Sequence, residues 1–115
     1  MSKNLFGEEQ SEKEIQDLIR GALAPYAKVW NITTGVFKVG QGKRARWIRT
    51  FPAGTPDLMG FRYSDGKMFF IEVKNANGRV SQEQKEFLKW AEGHPVLCGV
   101  ARCVEDAYKI LEIEV

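Results

Sequence analysis

A mixed β-sheet flanked by α-helices, an α/β domain, is predicted by three features of the chain. Two segments with apolar residues at helical spacing each open on a serine. Asp65-Gly66 lies between two apolar runs, a strong hairpin signal. The order helix, strands, helix, strand, helix allows a parallel crossover from the Met68 strand through the second helix to the Val96 strand.

The elements follow in order. Residues 1–10 are polar and acidic, read as a leader unlike a secretory signal, so 11–115 form the predicted domain. Ser11 caps a helix to about Leu23, with Glu14 as capping-box partner, an apolar stripe of Ile15, Leu18, Ile19, Ala22 and Leu23, and Pro25 as its stop. Lys28 to Ile32 reads as a strand and Thr33-Thr34-Gly35 as a turn. Val36 to Val39 and Arg46 to Thr50 form extended arms around Gly40-Gln41-Gly42, followed by a Gly/Pro loop to Pro56. Asp57 to Tyr63 and Met68 to Lys74 form the hairpin. Ser81 caps a helix to about Glu92 with Phe87, Leu88 and Ala91 inward; a strand, Val96 to Val104, and a helix, Glu105 to Leu111, close the chain. Trp30 and Trp90 read as core or edge packing, Phe69 or Phe70 as core, and His94 as a surface residue.

Charge is segregated. From Lys28 to Pro56 there is no Asp or Glu, while Lys28, Lys38, Lys43, Arg44, Arg46 and Arg49 are basic. A stretch of this kind favours a polyanion such as DNA, although a solvated basic loop has the same composition. Trp47 beside these cations is available to stack on a base or sugar. No apolar run reaches the roughly 20 residues of a membrane span. Cys98 and Cys103, read on opposite faces of one strand, point to two reduced thiols and a cytoplasmic location. With His94 alone to join them they do not make a zinc site. Neither a Gly-rich phosphate loop nor a Ser/His/Asp arrangement is evident.

The hairpin carries the chemistry. A turn centred on Asp65-Gly66 pairs Ser64 with Lys67 and Tyr63 with Met68, and so sets Met59 opposite Glu72 and Asp57 opposite Lys74. Opposed residues share a face, as do residues two apart, so Asp57, Glu72 and Lys74 converge while Ile71 and Val73 enter the core. Two carboxylates at close quarters repel, and a divalent cation such as Mg²⁺ or Mn²⁺ removes the conflict. The Val73 carbonyl is a further candidate ligand. Lys74 then orients or deprotonates a water, or steadies charge on phosphorus. A cross-strand salt bridge from Asp57 to Lys74 would use the same residues without chemistry.

Gly54-Thr55-Pro56-Asp57, Ile71-Glu72-Val73-Lys74 and Ser81-Gln82-Glu83-Gln84, in that order, resemble the VRR-NUC family of the PD-(D/E)xK nucleases over about Glu12 to Leu111. The resemblance implies a restriction-endonuclease-like core and divalent-metal-dependent hydrolysis of DNA phosphodiesters. It makes Asp57 and Glu72 metal ligands and Lys74 the catalytic lysine. Its stand-alone members, frequent in phages and bacteria, resemble Holliday-junction resolvases and tend to dimerise, which implies a homodimer acting on branched DNA. The family also places an acid on the first helix near the metal. Glu12 and Glu14 both qualify; Glu12 lies nearer the apolar stripe and Glu14 suits the cap, and both also favour the helix dipole. Gln84 is a site residue in the family and equally the partner of Ser81 in a capping box. Asn75, Asn77, Gly78 and Arg79 follow Lys74 and form either a plain loop or a backbone contact. Two other activities remain in view: a non-catalytic DNA-binding module on this fold, and a sequence-specific restriction-type nuclease. A structural protein with a coincidental motif would bind neither metal nor DNA.

Overall fold

The computed structural model describes residues 9–32 and 36–115. The expected Thr33-Thr34-Gly35 turn and most of the leader lie outside the described residues.

Helix α1 (Glu12–Leu23) is followed by β1 (Ala27–Asn31), β2 (Val36–Val39), a 3-10 turn (Gly42–Arg44) and β3 (Arg46–Arg49). Then come β4 (Leu58–Arg62), β5 (Met68–Val73), α2 (Gln82–Glu92), β6 (Leu97–Ala101) and α3 (Val104–Ile110). Four strands form a mixed sheet in the order β1-β4-β5-β6, and β2 pairs with β3 in a separate two-stranded arm. The β1-β4 and β4-β5 pairs are antiparallel, whereas β5 and β6 are parallel, joined through α2. This is the expected α/β sandwich.

Both helix starts carry the predicted caps: Ser11 with Glu14, and Ser81 with Gln84, each form a complete capping box. Ile15, Ile19 and Leu23 of α1 are buried against Leu58, Phe69, Ile71 and Val73, with Ala107 and Leu111 from the α3 end. Leu18, counted in the α1 stripe, is exposed instead. The strand to Val104 is shorter than expected: Cys103 is the N-cap of α3, and both cysteines are free. Of the two tryptophans, Trp30 sits on the edge strand β1 and Trp90 on α2, and neither is in the core.

The hairpin register differs from the expected one by two residues. Met59 faces Phe70 and Leu58 faces Ile71, not Glu72 and Val73. The cause is the turn. Arg62 N–H donates to the Lys67 carbonyl at 3.0 Å and Gly66 N–H to the Arg62 carbonyl at 2.7 Å, leaving a four-residue loop, Tyr63 to Gly66. Gly66 has φ +74°, a left-handed conformation glycine adopts freely. The Asp65 carboxylate accepts from Lys67 N–H at 3.0 Å and grips the Arg62 guanidinium, which also donates to the Leu111 carbonyl at 2.8 Å. A shift of two keeps every side chain on its predicted face, because the strand period is two.

Candidate nuclease site

The site forms where β4 begins and β5 ends. Asp57 and Lys74 lie just outside their strands, rather than within them as expected. The Asp57 carbonyl accepts from Ile32 N–H at 2.7 Å and so extends the β1-β4 ladder by one rung. Its side chain turns toward β5, where Oδ2 accepts the Val73 N–H at 2.8 Å. In a strand the N–H and C=O of one residue point to the same side, so the Val73 carbonyl also faces Asp57.

Glu72 projects from β5 toward α2 and is only 2% exposed. Gln84 Nε2 donates to its Oε1 at 2.8 Å. Lys74 Nζ lies 3.5 Å from the same oxygen. Glu72 Oε2 is buried with no hydrogen-bond partner among the described residues. Burial pushes the Glu72 carboxyl up from 4.5 to about 8; the charge of the Asp57 carboxylate adds to the rise, and Lys74 opposes it. A buried acid facing a second acid, with one oxygen unsatisfied, is a costly arrangement unless a cation is brought to it.

The donor set fits a hard divalent cation. Carboxylates from Asp57 and Glu72, one with a free oxygen, and a carbonyl on the same side are the ligand types Mg²⁺ takes, the remainder being waters and substrate phosphate. Among the described residues no three acidic, histidine or cysteine side chains gather closely enough to hold an ion by themselves.

Glu12 stands by the loop after Lys74: a side-chain carbon added to Gly78 would lie 2.9 Å from Glu12 Oε1 and 3.2 Å from Lys74 Cδ. Glu14, by contrast, accepts from Ser11 N–H at 3.2 Å and serves the cap. Gln84 closes the expected capping box and also reaches Glu72: its Oε1 accepts from Ser81 N–H at 2.8 Å while its Nε2 donates to Glu72.

Two residues carry no signal in the sequence. Arg102 Nη1 donates to the carbonyls of Asn75 and Gly78 at 2.6 and 2.8 Å, clamping the loop that follows Lys74. Glu9 Oε2 accepts from Asn77 Nδ2 at 2.7 Å, and its Oε1 is buried without a partner among the described residues. Neither position belongs to a motif or a periodic stripe, so only their distant partners reveal them. Gly54 carries a further constraint. With φ +89°, a Cβ there would lie 2.5 Å from the Glu83 carbonyl oxygen, so this glycine lets the loop before Asp57 pack on the first turn of α2.

The expected basic residues are spread over the β2-β3 arm. Lys38 pairs with Trp47 and Val36 with Arg49, which puts Lys38, Trp47 and Arg49 on one face. Arg46, opposite Val39, points to the other, and Lys43 and Arg44 sit in the turn at the tip. All five cations are exposed. The arm leaves the core between Ile32 and Asp57, and so is rooted beside the site.

The sequence matches the family model of the VRR-NUC domain over residues 36–105, more than half of the chain and the whole of the site except α1. The chain belongs to the VRR-NUC domain family. That family is nuclease-type, which makes DNA the substrate, hydrolysis the chemistry, and a divalent metal the usual requirement. No curated protein matches the sequence. Among the described residues of this VRR-NUC chain, no helix is long and apolar enough to cross a membrane.

Proposed function

We propose that this chain is an endonuclease requiring Mg²⁺ or Mn²⁺, selective for branched or junction DNA. The observation that carries the metal requirement is the buried, unpartnered Glu72 Oε2 beside Asp57. Asp57, Glu72 and the Val73 carbonyl would hold the ion, with Glu12 the nearest acid from α1. The bound ion would lower the pKa of a water and polarise the phosphate.

The protein's own groups then divide the work. Lys74, whose ammonium is held near Glu72, donates to the attacking water or to a phosphoryl oxygen and offsets charge building on phosphorus. Water oxygen bonds to phosphorus and gives up a proton to solvent, the phosphorus–oxygen ester bond breaks, and the leaving oxygen takes a proton from solvent. Gln84 fixes the Glu72 carboxylate so that it stays aligned through this step. Lys38, Lys43, Arg44, Arg46 and Arg49 grip the phosphate backbone from the arm, a role supported by their exposure and by the arm's root at Asp57. Cutting two strands symmetrically requires two copies of so small a domain, hence a homodimer on DNA.

The test uses labelled four-way junction, nicked duplex and linear duplex, incubated with Mg²⁺, Mn²⁺ or EDTA. Metal-dependent cutting of the junction, lost in Lys74→Ala, is expected. Cutting that survives both EDTA and Lys74→Ala would overturn the mechanism, and equal cutting of all three substrates would remove the selectivity. DNA binding with no cutting under any metal would identify a non-catalytic module.

A further inference from the structure

Among the described residues, one half of the sheet is left uncovered on the side that carries the site. Helix α2 covers that side only over β5 and β6: Phe87 packs on Phe70 with ring centroids 5.1 Å apart, Gln84 meets Glu72, and Cys98 Sγ lies 3.7 Å from the Leu88 carbonyl. Alternation sends Lys28 and Trp30 of β1, and Met59 and Phe61 of β4, out of the same side, followed by Tyr63 beyond the strand end. Trp30 is 44%, Phe61 37% and Tyr63 57% exposed. The rings are contiguous: Trp30 to Phe61 is 5.9 Å and Phe61 to Tyr63 is 6.0 Å between centroids. Lys28 Nζ stands 5.6 Å from the centre of the Trp30 ring.

From this surface we infer that the β1-β4 face is a stacking platform for unpaired nucleotides of the DNA strand that is cut. Three observations single out that occupant. The face is aromatic and cationic, with no acid along β1 or β4 between Asp57 and Tyr63, which suits bases and phosphates. The rings meet at 54° and 80°, so they do not close on one another as a stacked pair. The platform is also continuous with the site, since Asp57, Met59, Phe61 and Tyr63 alternate along one strand. At roughly 3.3 Å per residue, Phe61 is about 13 Å and Tyr63 about 20 Å from Asp57. A strand leaving the scissile phosphate reaches the rings within a few nucleotides, and in that span its bases must be unpaired to lie flat on them.

This inference rests on the nuclease reading for its direction along the strand but is tested without cleavage. Fluorescein-labelled (dT)12 and a labelled blunt duplex of equal length are titrated with the full chain in EDTA and followed by anisotropy. Tyr63→Leu and Phe61→Leu keep apolar bulk and remove the rings; circular-dichroism melts verify that each variant folds. Loss of roughly tenfold in (dT)12 affinity per ring, with duplex affinity held, is expected. Unchanged (dT)12 affinity in the folded double variant overturns the platform. So does light scattering that gives a DNA-free dimer for the wild type and a monomer for Phe61→Glu, because the face then belongs to a second copy. Wild-type cleavage is scored separately. If (dT)12 affinity depends on the rings while no DNA is ever cut, the platform stands and the nuclease reading fails. If DNA is cut while (dT)12 affinity ignores the rings, the nuclease reading stands and the platform fails.

Discussion

Gln84 and Glu72 are joined by a 2.8 Å hydrogen bond from amide nitrogen to carboxylate, while the amide oxygen of the same glutamine closes the cap of α2 on Ser81. The start of the helix and the orientation of a candidate metal ligand are thus one structure. A helix shifted by a single residue would leave Glu72 without its donor.

Gln84→Glu separates the two roles. A glutamate maintains the capping box, as Glu14 does on α1, but offers Glu72 no donor. Cleavage is expected to fall about tenfold, in line with the roughly 1.5–3 kcal/mol of a hydrogen bond to a charged group, and the melting temperature in EDTA to fall as well, because the new carboxylate faces the buried Glu72. Gln84→Ala should lose activity and, with the cap weakened, about 1 kcal/mol of stability as well. Parallel rate measurements and thermal melts on the two variants check this. Equal activity in Gln84→Glu and the wild type would contradict it.

Asp57 supports fold and chemistry through different atoms. Asn in its place retains an oxygen for the Val73 N–H, so Asp57→Asn should fold normally and fail to cut. Asp57→Ala leaves that N–H without its partner and should cost about 1–3 kcal/mol more than Asp57→Asn in urea denaturation. Similar stability of the two variants would mean that the side-chain bond to Val73 contributes nothing.

The Glu72 carboxyl, raised from 4.5 to about 8, predicts how pH acts on the metal-free protein. The folded chain binds this proton more tightly than the unfolded chain does. The corresponding stability is therefore fully present below pH 4.5 and is lost as pH rises through 8. The melting temperature in EDTA should decline between these limits, and Glu72→Gln should flatten that decline. A cation taken by the ionised carboxylate must displace the proton, so calorimetry in buffers of different ionisation heat should register about one proton released per Mg²⁺ at pH 7 and almost none at pH 9. Equal release at both values contradicts the assignment.

Arg102 acts on Lys74 from behind. Arg102→Ala frees the Asn75 and Gly78 carbonyls, so the loop after Lys74 should loosen. Faster amide exchange over residues 74–79 is expected, with a rate of cleavage reduced more than the affinity for DNA. Exchange equal to that of the wild type would assign Arg102 no part in holding the loop.

Much of this was legible without coordinates, for a local reason. Caps at Ser11 and Ser81, the arm around Gly40-Gln41-Gly42 and the shared face of Asp57, Glu72 and Lys74 all follow from backbone periods that each segment carries within itself. The common face survived even the two-residue difference in the hairpin register, since strand parity repeats every two residues. Register itself was not legible, because Arg62 sets the turn by reaching Asp65 and, far along the chain, the carbonyl of Leu111. Nor was the burial of Glu72, the clamp by Arg102 or the half of the sheet left uncovered among the described residues. Each of these depends on where α2 and the C-terminal segment come to rest, and the exclusion of water from a side chain is a property of its distant neighbours, which no local pattern encodes.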